Sequence, residues 1–282
     1  MKNLYKILGI IMILAFVLTA CRAEETVTPE VEPVETEVVV EEETPAEPFR
    51  VAVVMPSAIN DLAFSQSMYD SLLKIQEEMG AENFEFVYSE GMFVVDDAAA
   101  ALRDYASQGY DLVIAHGSQY GASLVEIAPD FPETSFAHGT TVDTFVDQGV
   151  TNVFAYEARS EQGGYVNGVL AAGLSQSGVL GVVGPIETGD AKLYVDGFAL
   201  GAQATKPETQ VNINYIGSFS DVALASEAAQ THVNAGADVM TGSAQMVVGA
   251  IGVAETNGVL WFGTQSNQAS LAPSVVVASQ VY

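Results

Sequence analysis

The sequence predicts an α/β protein of two similar lobes, each built on an open parallel sheet. Short apolar runs alternate with longer segments in which apolar residues recur every three or four positions. The alternation runs from Phe49 to Tyr156 and begins again at Glu161. Strands that alternate with helices favour parallel sheets, and the repetition favours two lobes with a cleft between them.

The first residues of the chain differ in composition from the rest. Two lysines precede an apolar stretch, Ile7 to Leu18, that is too short to span a membrane comfortably. The next residues, Leu18-Thr19-Ala20-Cys21, match a bacterial lipobox. We therefore predict a lipoprotein signal peptide over residues 1–20 and lipidation of Cys21. Acyl chains on Cys21 would hold the chain on the extracytoplasmic face of the cell membrane. An ordinary signal peptide with a chance cysteine is the alternative.

Residues 21–48 contain ten glutamates and four prolines. This composition cannot bury a core, so the segment is predicted to be a disordered acidic tether. From Phe49 onward the chain has 26 acidic residues against six lysines and arginines. Such a surface argues against binding to nucleic acid and against electrostatic docking on anionic lipid. The single cysteine, Cys21, excludes disulfides and a cysteine zinc cluster.

The amino-terminal lobe is predicted to cover residues 49–158. Its first strand, Phe49 to Met55, is almost entirely apolar, as expected for a strand covered on both faces. Pro56 ends this strand, and apolar residues then recur at helical spacing as far as Met79. Further strands are predicted at 84–88, 111–115, 134–137 and 152–156. Two further helices are predicted: one is capped by Asp96 or Asp97 and ends at Gly109, and the other ends at Ala128.

The carboxyl-terminal lobe, predicted over residues 159–282, repeats this alternation without a flexible linker, which favours two lobes hinged around a cleft. Its first helix contains four glycines, which predict close packing against a neighbour: Gly163, Gly164, Gly168 and Gly173. Helices are predicted at 161–174, 191–204 and 222–233, and strands at 179–183, 212–216, 238–240, 258–262 and 275–277. Because the chain stops at Tyr282 directly after a strand, we expect this lobe to be truncated.

Ligands of open α/β sheets bind just past the carboxyl ends of the strands. The loops at those positions contain glycine, hydroxyl, amide and aromatic residues, and neither lysine nor arginine. They suit a ligand with a ring and neutral hydrogen-bonding groups rather than a phosphate. Ligand contacts are predicted for Asn60, Asp61, Phe64, Gln66, Ser118, Gln119, His138, Gln245, Gln265 and Asn267. The alternative is that Asn60 and Asp61 only shape a turn, that Phe64 only packs, and that Gln265 and Asn267 form a polar rim.

The sequence contains no arrangement typical of an enzyme or a metal site. The three histidines, His116, His138 and His232, lack the spacing of a metal motif, and metal sites need three or four converging ligands. The serine within residues 116–121 does not match G-x-S-x-G, and residues 184–192 lack the GK[ST] of a P-loop. We therefore predict no catalytic residues, no metal and no cofactor. A secreted enzyme is an alternative function, and it would require a cleft residue placed for acid–base or nucleophilic chemistry.

Several motifs follow one another in a characteristic order: GYDLVIAHG, NVFAYEARSEQGGYVNGV, GVVGPIETGDAKLYVDGF, INYIGSFSD and FGTQSNQ. Through their order and spacing over residues 49–282, the chain resembles the basic membrane protein family, the PnrA-like substrate-binding lipoproteins of ABC transporters. The resemblance implies a type I periplasmic-binding-protein fold with two flavodoxin-like lobes. It also implies a monomer that binds a purine nucleoside or a related small molecule and delivers it to an ABC permease in the membrane.

The resemblance implies roles for particular residues. Asn60 and Asp61 would hydrogen-bond the ligand, and Phe64 and Phe219 would stack on opposite faces of its ring. Asp221 would cap the helix that follows it and is a further candidate for ligand contact.

The sequence departs from the family pattern at three places where members often carry aspartate. Here these places are occupied by Pro56-Ser57, His138-Gly139 and the amides of residues 265–267. A carboxylate accepts two hydrogen bonds, whereas an amide both accepts and donates. These departures leave open a ligand other than a purine nucleoside. The alternative function is an extracytoplasmic sensor that signals to a membrane partner without transport.

Overall fold

Two five-stranded sheets, each entirely parallel, organise residues 47–281, which are the residues that the computed structural model describes. The predicted signal peptide, the lipidation site Cys21 and the tether as far as residue 46 lie outside the described residues. The predicted α/β class with two parallel sheets is confirmed.

The first sheet has the strand order β2-β1-β3-β4-β5. Its strands are β1 (Phe49–Val54), β2 (Phe84–Ser89), β3 (Leu112–His116), β4 (Ser135–Gly139) and β5 (Val153–Tyr156). Strand β1 is buried on both faces, as its apolar sequence predicts. Ala52 and Val54 belong to the core on one face of the sheet, and Val51 and Val53 belong to the core on the other.

The second sheet repeats this topology, with the order β10-β9-β8-β6-β7. Its strands are β6 (Val179–Gly184), β7 (Gln210–Tyr215), β8 (Val239–Gly242), β9 (Leu260–Gln265) and β10 (Val276–Val281). In each sheet the first strand of the lobe lies between the second and the third. The strand order therefore reverses between β1 and β3 and between β6 and β8, and ligands of open α/β sheets bind at the carboxyl side of such reversals.

Seven α-helices connect the strands within residues 47–281. They are α1 (Phe64–Met79), α2 (Val95–Ser107), α3 (Gly121–Ile127), α4 (Ser160–Leu174), α5 (Gly189–Thr205), α6 (Val222–Asn234) and α7 (Val247–Asn257). Sequence periodicity did not predict α7. Its sequence is apolar or glycine almost throughout, so no polar face marks the helical period, although the side chains that it buries recur at helical spacing.

Helix α2 begins differently from the prediction. Asp96 and Asp97 do not cap it, because the helix starts at Val95 and both aspartates lie in its first turn. Their charges are still favourable there, since the first turn is the positive end of the helix dipole. The helix ends at Ser107, and Gly109, with a φ of 73°, turns the chain towards β3.

Glycines bring α4 and α5 into close contact, as predicted for this part of the sequence. A Cβ atom at Gly164 would overlap the backbone carbonyl of Tyr194, and one at Gly168 would overlap that of Phe198. Two glycines of α5 face the backbone of α4 in the same way. Gly173, near the end of α4, has open space instead.

Candidate functional site

A cleft lies between the carboxyl ends of the two sheets. We call the first sheet with α1–α3 the amino-terminal lobe and the second sheet with α4–α7 the carboxyl-terminal lobe. The empty volume of the cleft, including the part open to solvent, is about 450 Å³, which suits a small molecule. Both lobes line it, through Pro56, Phe64, Phe93, Gly117, Ser118, Gln119, Thr140, Thr188, Asp190, Ala191, Phe219, Ala244, Gln245 and Gln265.

Three phenylalanines supply the aromatic surface of the cleft. Phe64, the first residue of α1, comes from the amino-terminal lobe, and Phe219, in the loop after β7, comes from the carboxyl-terminal lobe. Phe93, in the loop after β2, was not among the sequence candidates, because nothing in its neighbourhood distinguishes it from an ordinary loop residue. Flat apolar surfaces from both lobes suit a planar ring as the bound group.

Phe64 is held by a histidine behind it. Its ring stacks on the ring of His116, with centroids 3.7 Å apart and an angle of 10° between the planes. His116 Nε2 lies 3.0 Å from the backbone carbonyl oxygen of Phe64 and therefore donates to it. The other ring nitrogen, Nδ1, then accepts from the hydroxyl of Tyr156 at 2.7 Å. One face of Phe64 is thus covered by protein.

The groups in this stack are uncharged near neutral pH. Burial lowers the pKa of His116 from 6.5 to about 4, although the hydrogen bond to the Phe64 carbonyl opposes this shift. Burial also raises the pKa of the Tyr156 hydroxyl, and the charge of Asp190 adds to the effect. The ring of Phe64 is therefore supported from behind by two neutral side chains, His116 and Tyr156, that are hydrogen-bonded to each other.

The loop after β1 uses its polar residues on its own backbone. The carboxylate of Asp61 accepts hydrogen bonds from the N–H groups of Ala63, Ser65 and Gln66 at 2.8, 3.1 and 3.1 Å. Burial raises the pKa of Asp61, and these three bonds oppose that shift. Asn60 is exposed, and neither it nor Asp61 nor Gln66 is among the cleft residues. Their contact with a ligand stays a prediction.

The remaining candidates of the amino-terminal lobe divide into two groups. Ser118 and Gln119 follow β3 in a single 3₁₀ turn and line the cleft. His138 lies outside the cleft lining and packs its ring against Phe145, with centroids 5.3 Å apart. Both ring nitrogens of His138 lack a hydrogen-bond partner within the described part of the chain, and burial lowers its pKa.

In the carboxyl-terminal lobe, Phe219, Gln245 and Gln265 line the cleft, whereas two other candidates do not. Asp221 caps α6, because its Oδ1 accepts from the N–H of Leu224 at 2.9 Å. Asn267 is exposed, and its side chain accepts from the N–H of Ala269. Ligand contact by Asp221 and Asn267 stays a prediction as well.

The fold and the cleft agree with a family assignment from sequence comparison. A sequence model of the family described as Bmp, ABC transporter substrate-binding protein PnrA-like, matches residues 49–282. This chain belongs to the Bmp family. The resemblance found in the sequence is thereby confirmed, and the family is one of substrate-binding proteins rather than enzymes.

Two proteins with sequences similar to this chain have different names. A purine-binding protein of Brucella abortus is 28% identical over 213 residues, which cover 76% of this chain and 59% of the relative. The transcriptional activator protein med of Bacillus subtilis is 28% identical over 233 residues, 82% of this chain and 70% of the relative. The chain therefore spans about three fifths of the length of the purine-binding relative.

A solved structure supports the fold. The solute-binding protein of an ABC transporter system from Aeropyrum pernix superposes with a TM-score of 0.70 at 22% sequence identity. The superposition covers 82% of this chain and 66% of that one. The Bmp chain accordingly has the fold of type I periplasmic solute-binding proteins.

Asp190 is the acidic residue of the cleft, and sequence reasoning missed it. It lies in the first turn of α5 and is buried. Residues 184–192 lack the GK[ST] of a P-loop, and in sequence Asp190 looks like any acidic residue at the start of a helix. Among the fourteen lining residues of this Bmp cleft it is the only charged one. The site therefore favours neutral or donor-rich ligands over anions.

Two contacts join the lobes. Gln268, in the loop after β9, donates from Nε2 to the carbonyl oxygen of Leu62 in the amino-terminal lobe at 3.3 Å. A Cβ on Gly189 would lie 3.0 Å from Oγ1 of Thr140, so α5 begins close against the loop after β4. The two lobes of this Bmp protein thus touch at both of these places.

Residues 47–281 contain neither a membrane-spanning helix nor a cluster of metal ligands. No helix there combines the length and the apolar character that crossing a membrane requires. No three His, Cys, Asp or Glu side chains in that range converge as metal ligands would.

Proposed function

We propose that this Bmp-family chain is the extracytoplasmic, monomeric receptor of an ABC importer and binds a small ring-containing solute, with a purine nucleoside as the first candidate. The observation that supports this most is the placement of Phe64 and Phe219 in one cleft, from opposite lobes. Stacking on an aromatic side chain contributes roughly 1–3 kcal/mol per base. The naming of a relative as purine-binding points the same way.

Closure of the lobes is the step that would link binding to transport. A ring clamped between Phe64 and Phe219 contacts both lobes only when the cleft is closed. Ligand then favours the closed state through contacts that the open state lacks. A permease that recognises the closed shape would receive loaded receptors in preference to empty ones.

The neutral lining leads to an expectation about charge. The cleft has hydroxyl, amide and aromatic groups with a single carboxylate, Asp190, and no lysine or arginine. Nucleosides bring hydroxyl and N–H donors, whereas a nucleotide also brings a phosphate that would find no cation to pair with. We therefore expect adenosine, guanosine or inosine to bind and the matching monophosphates to bind much more weakly.

Thermal unfolding of the purified chain tests the ligand. A ligand at roughly a hundred times its dissociation constant stabilises a protein by about 2.7 kcal/mol, which moves the midpoint by several degrees. A shift with a nucleoside that is lost in Phe219→Ala, and kept in Phe154→Ala at an exposed site, would support the proposal. If sugars or amino acids shift the midpoint and nucleosides do not, the nucleoside assignment is wrong.

The anchor requires its own test. Cys21 is the last residue of a predicted lipobox, so we propose that acyl chains attached there hold the chain on the outer side of the cell membrane. Expression of Cys21→Ser with fractionation of the cells should move the protein from the membrane fraction to the soluble one. Retention of the variant in the membrane fraction would contradict lipidation at this residue.

A second candidate function is ligand sensing without transport. It is favoured by the similarity to the Bacillus subtilis protein that is named a transcriptional activator. Deletion of the gene separates the two functions. Loss of uptake of a radiolabelled nucleoside supports the transport role, whereas unchanged uptake with altered transcription supports sensing.

A further inference from the structure

Two residues, one in the loop after β8 and one at the end of β9, have a backbone conformation that residues other than glycine rarely adopt. Ala244 and Gln265 have left-handed backbones, with φ values of 74° and 70°. Both residues are buried, with 2% and 3% of their surfaces exposed. The N–H of Ala244 donates to Oε1 of Gln265 at 3.1 Å, which ties the loop after β8 to the end of β9. Residues in this region of backbone space cluster at ligand clamps.

Gln245, the neighbour of Ala244, has an amide oxygen that accepts no hydrogen bond from the part of the chain that the structure describes. This Oε1 atom is buried and lacks a hydrogen-bond partner within residues 47–281. The N–H of Met246 donates to the carbonyl oxygen of Phe219 at 3.1 Å, so Gln245 lies beside the phenylalanine of the cleft wall. Buried amide oxygens in folded proteins nearly always have a donor. A bound molecule in the cleft is the available source of that donor.

We propose that Gln245 determines ligand specificity by accepting a hydrogen bond from an N–H group on the edge of the ring that stacks on Phe219. Gln265 is the positioning residue for Gln245, because its amide oxygen accepts the hydrogen bond from the N–H of Ala244 and so fixes the backbone there. This assignment rests on the proposed function, since it requires a ring in the cleft. It names the ligand chemistry as a planar ring with an amino or ring N–H donor at its edge.

The two glutamines should respond in opposite ways when the protein is unliganded. Gln245→Met removes a buried polar atom that has no partner, so the thermal midpoint should stay the same or rise. Gln265→Met leaves the N–H of Ala244 without an acceptor, so the midpoint should fall by several degrees. Gln203→Met, on the exposed side of α5, is the matched control for the change of side chain.

Binding is tested by calorimetric titration of the purified full chain with adenosine, guanosine, inosine and purine riboside. The last compound has no N–H group on its base. We expect the wild type to bind one of the first three about tenfold more tightly than purine riboside, as one hydrogen bond allows. Gln245→Met should abolish this preference. Gln245→Glu, which has acceptors only, should keep it, and Gln203→Met should bind as the wild type does.

Several results would overturn the assignment. The first is a wild type that binds none of adenosine, guanosine and inosine more tightly than purine riboside. The second is a Gln245→Met variant with the affinity of the wild type. The third is a Gln245→Met variant that loses as much affinity for purine riboside as for the other nucleosides. A fall in the unliganded midpoint of Gln245→Met as large as that of Gln265→Met would also contradict it, since Gln245 would then be structural. A wild type that binds none of the four compounds would instead overturn the nucleoside function, so the two failures are distinguishable.

Discussion

The phenyl ring of Phe64 lies parallel to the imidazole of His116, with the ring centroids 3.7 Å apart. His116 is itself held at both nitrogens, by the hydroxyl of Tyr156 and by the backbone carbonyl of Phe64. The orientation of the aromatic wall is therefore set from behind, by residues at the ends of β3 and β5. His116 is buried beneath Phe64 and is not among the cleft residues, so any effect on binding acts through that ring.

We expect His116→Ala to weaken nucleoside binding by about tenfold, because Phe64 loses the surface that fixes its plane and must be ordered by the ligand instead. His116→Phe restores a flat ring behind Phe64 and should recover most of the affinity, even though the hydroxyl of Tyr156 loses its partner. Calorimetric titration at a temperature where both variants are folded measures this. Equal affinities of His116→Ala and wild type would show that His116 does not position the wall.

The same histidine makes stability depend on pH. The pKa of His116 is about 4 in the folded protein and near 6.5 in the unfolded chain. Between these values the unfolded state binds a proton that the folded state does not. The free energy of unfolding should therefore fall as the pH is lowered through this window, by up to about 3 kcal/mol from His116.

His116→Asn keeps a polar group and removes the titration, so its stability should decline less over that window. Urea unfolding at closely spaced pH values measures the slope. Burial also lowers the pKa of His138 and His232, so the wild-type slope contains their contributions, and only the difference between the two proteins belongs to His116. Identical slopes would contradict the assignment.

Gln268 is completely buried and joins the two lobes. Its Oε1 accepts from the indole N–H of Trp261 at 3.1 Å, and its Nε2 donates to the carbonyl oxygens of Leu62 and Thr264. Gln268→Met should lower the free energy of unfolding by about 2–4 kcal/mol, because several buried polar groups lose their partner together. Urea unfolding with Gln203→Met as the exposed control tests this, and a loss no larger than that of the control would count against the bridge.

The contact between α4 and α5 allows a comparison within one helix. Gly168→Ala places a methyl group against the backbone of Phe198 and should lower the free energy of unfolding by about 1–3 kcal/mol. Gly173→Ala adds the same group where there is open space, and should raise stability by about 0.5–1 kcal/mol through helix propensity. Thermal or urea unfolding measures both. Equal effects at the two positions would mean that the helices do not pack as closely as described.

Most of the fold could be predicted from local pattern, and the exceptions have clear causes. Strand β1 was recognisable because a strand covered on both faces is almost entirely apolar, and each of the ten strands within residues 47–281 overlaps a predicted one. Helix α7 was missed because a helix without a polar face shows no period. The start of α2 was misplaced because an aspartate in the first turn and an aspartate at the cap look alike in sequence.

The candidate site was less predictable. Loop chemistry selected Phe64, Ser118, Gln119, Gln245 and Gln265, and the family resemblance added Phe219; all six line the cleft. The candidates also included Asp61 and Asp221, whose carboxylates accept from backbone N–H groups. Sequence reasoning did not select Phe93 or Asp190, which also line the cleft, because neither is distinguished in sequence from an ordinary loop residue or an acid at a helix start.

The order and type of residues along the chain determine three features: the fold class, the repetition of the lobe and the neutral character of the strand-end loops. They follow from periodicity and turn chemistry, which act over a few residues. The use of each polar group depends on partners distant in sequence. Gln265 bonds to a loop residue 21 positions away and Gln268 to one 206 positions away, whereas the side-chain oxygen of Gln245 has no donor among residues 47–281. Folding brings these groups together, and the need to satisfy each buried donor and acceptor determines which of them are left for a ligand.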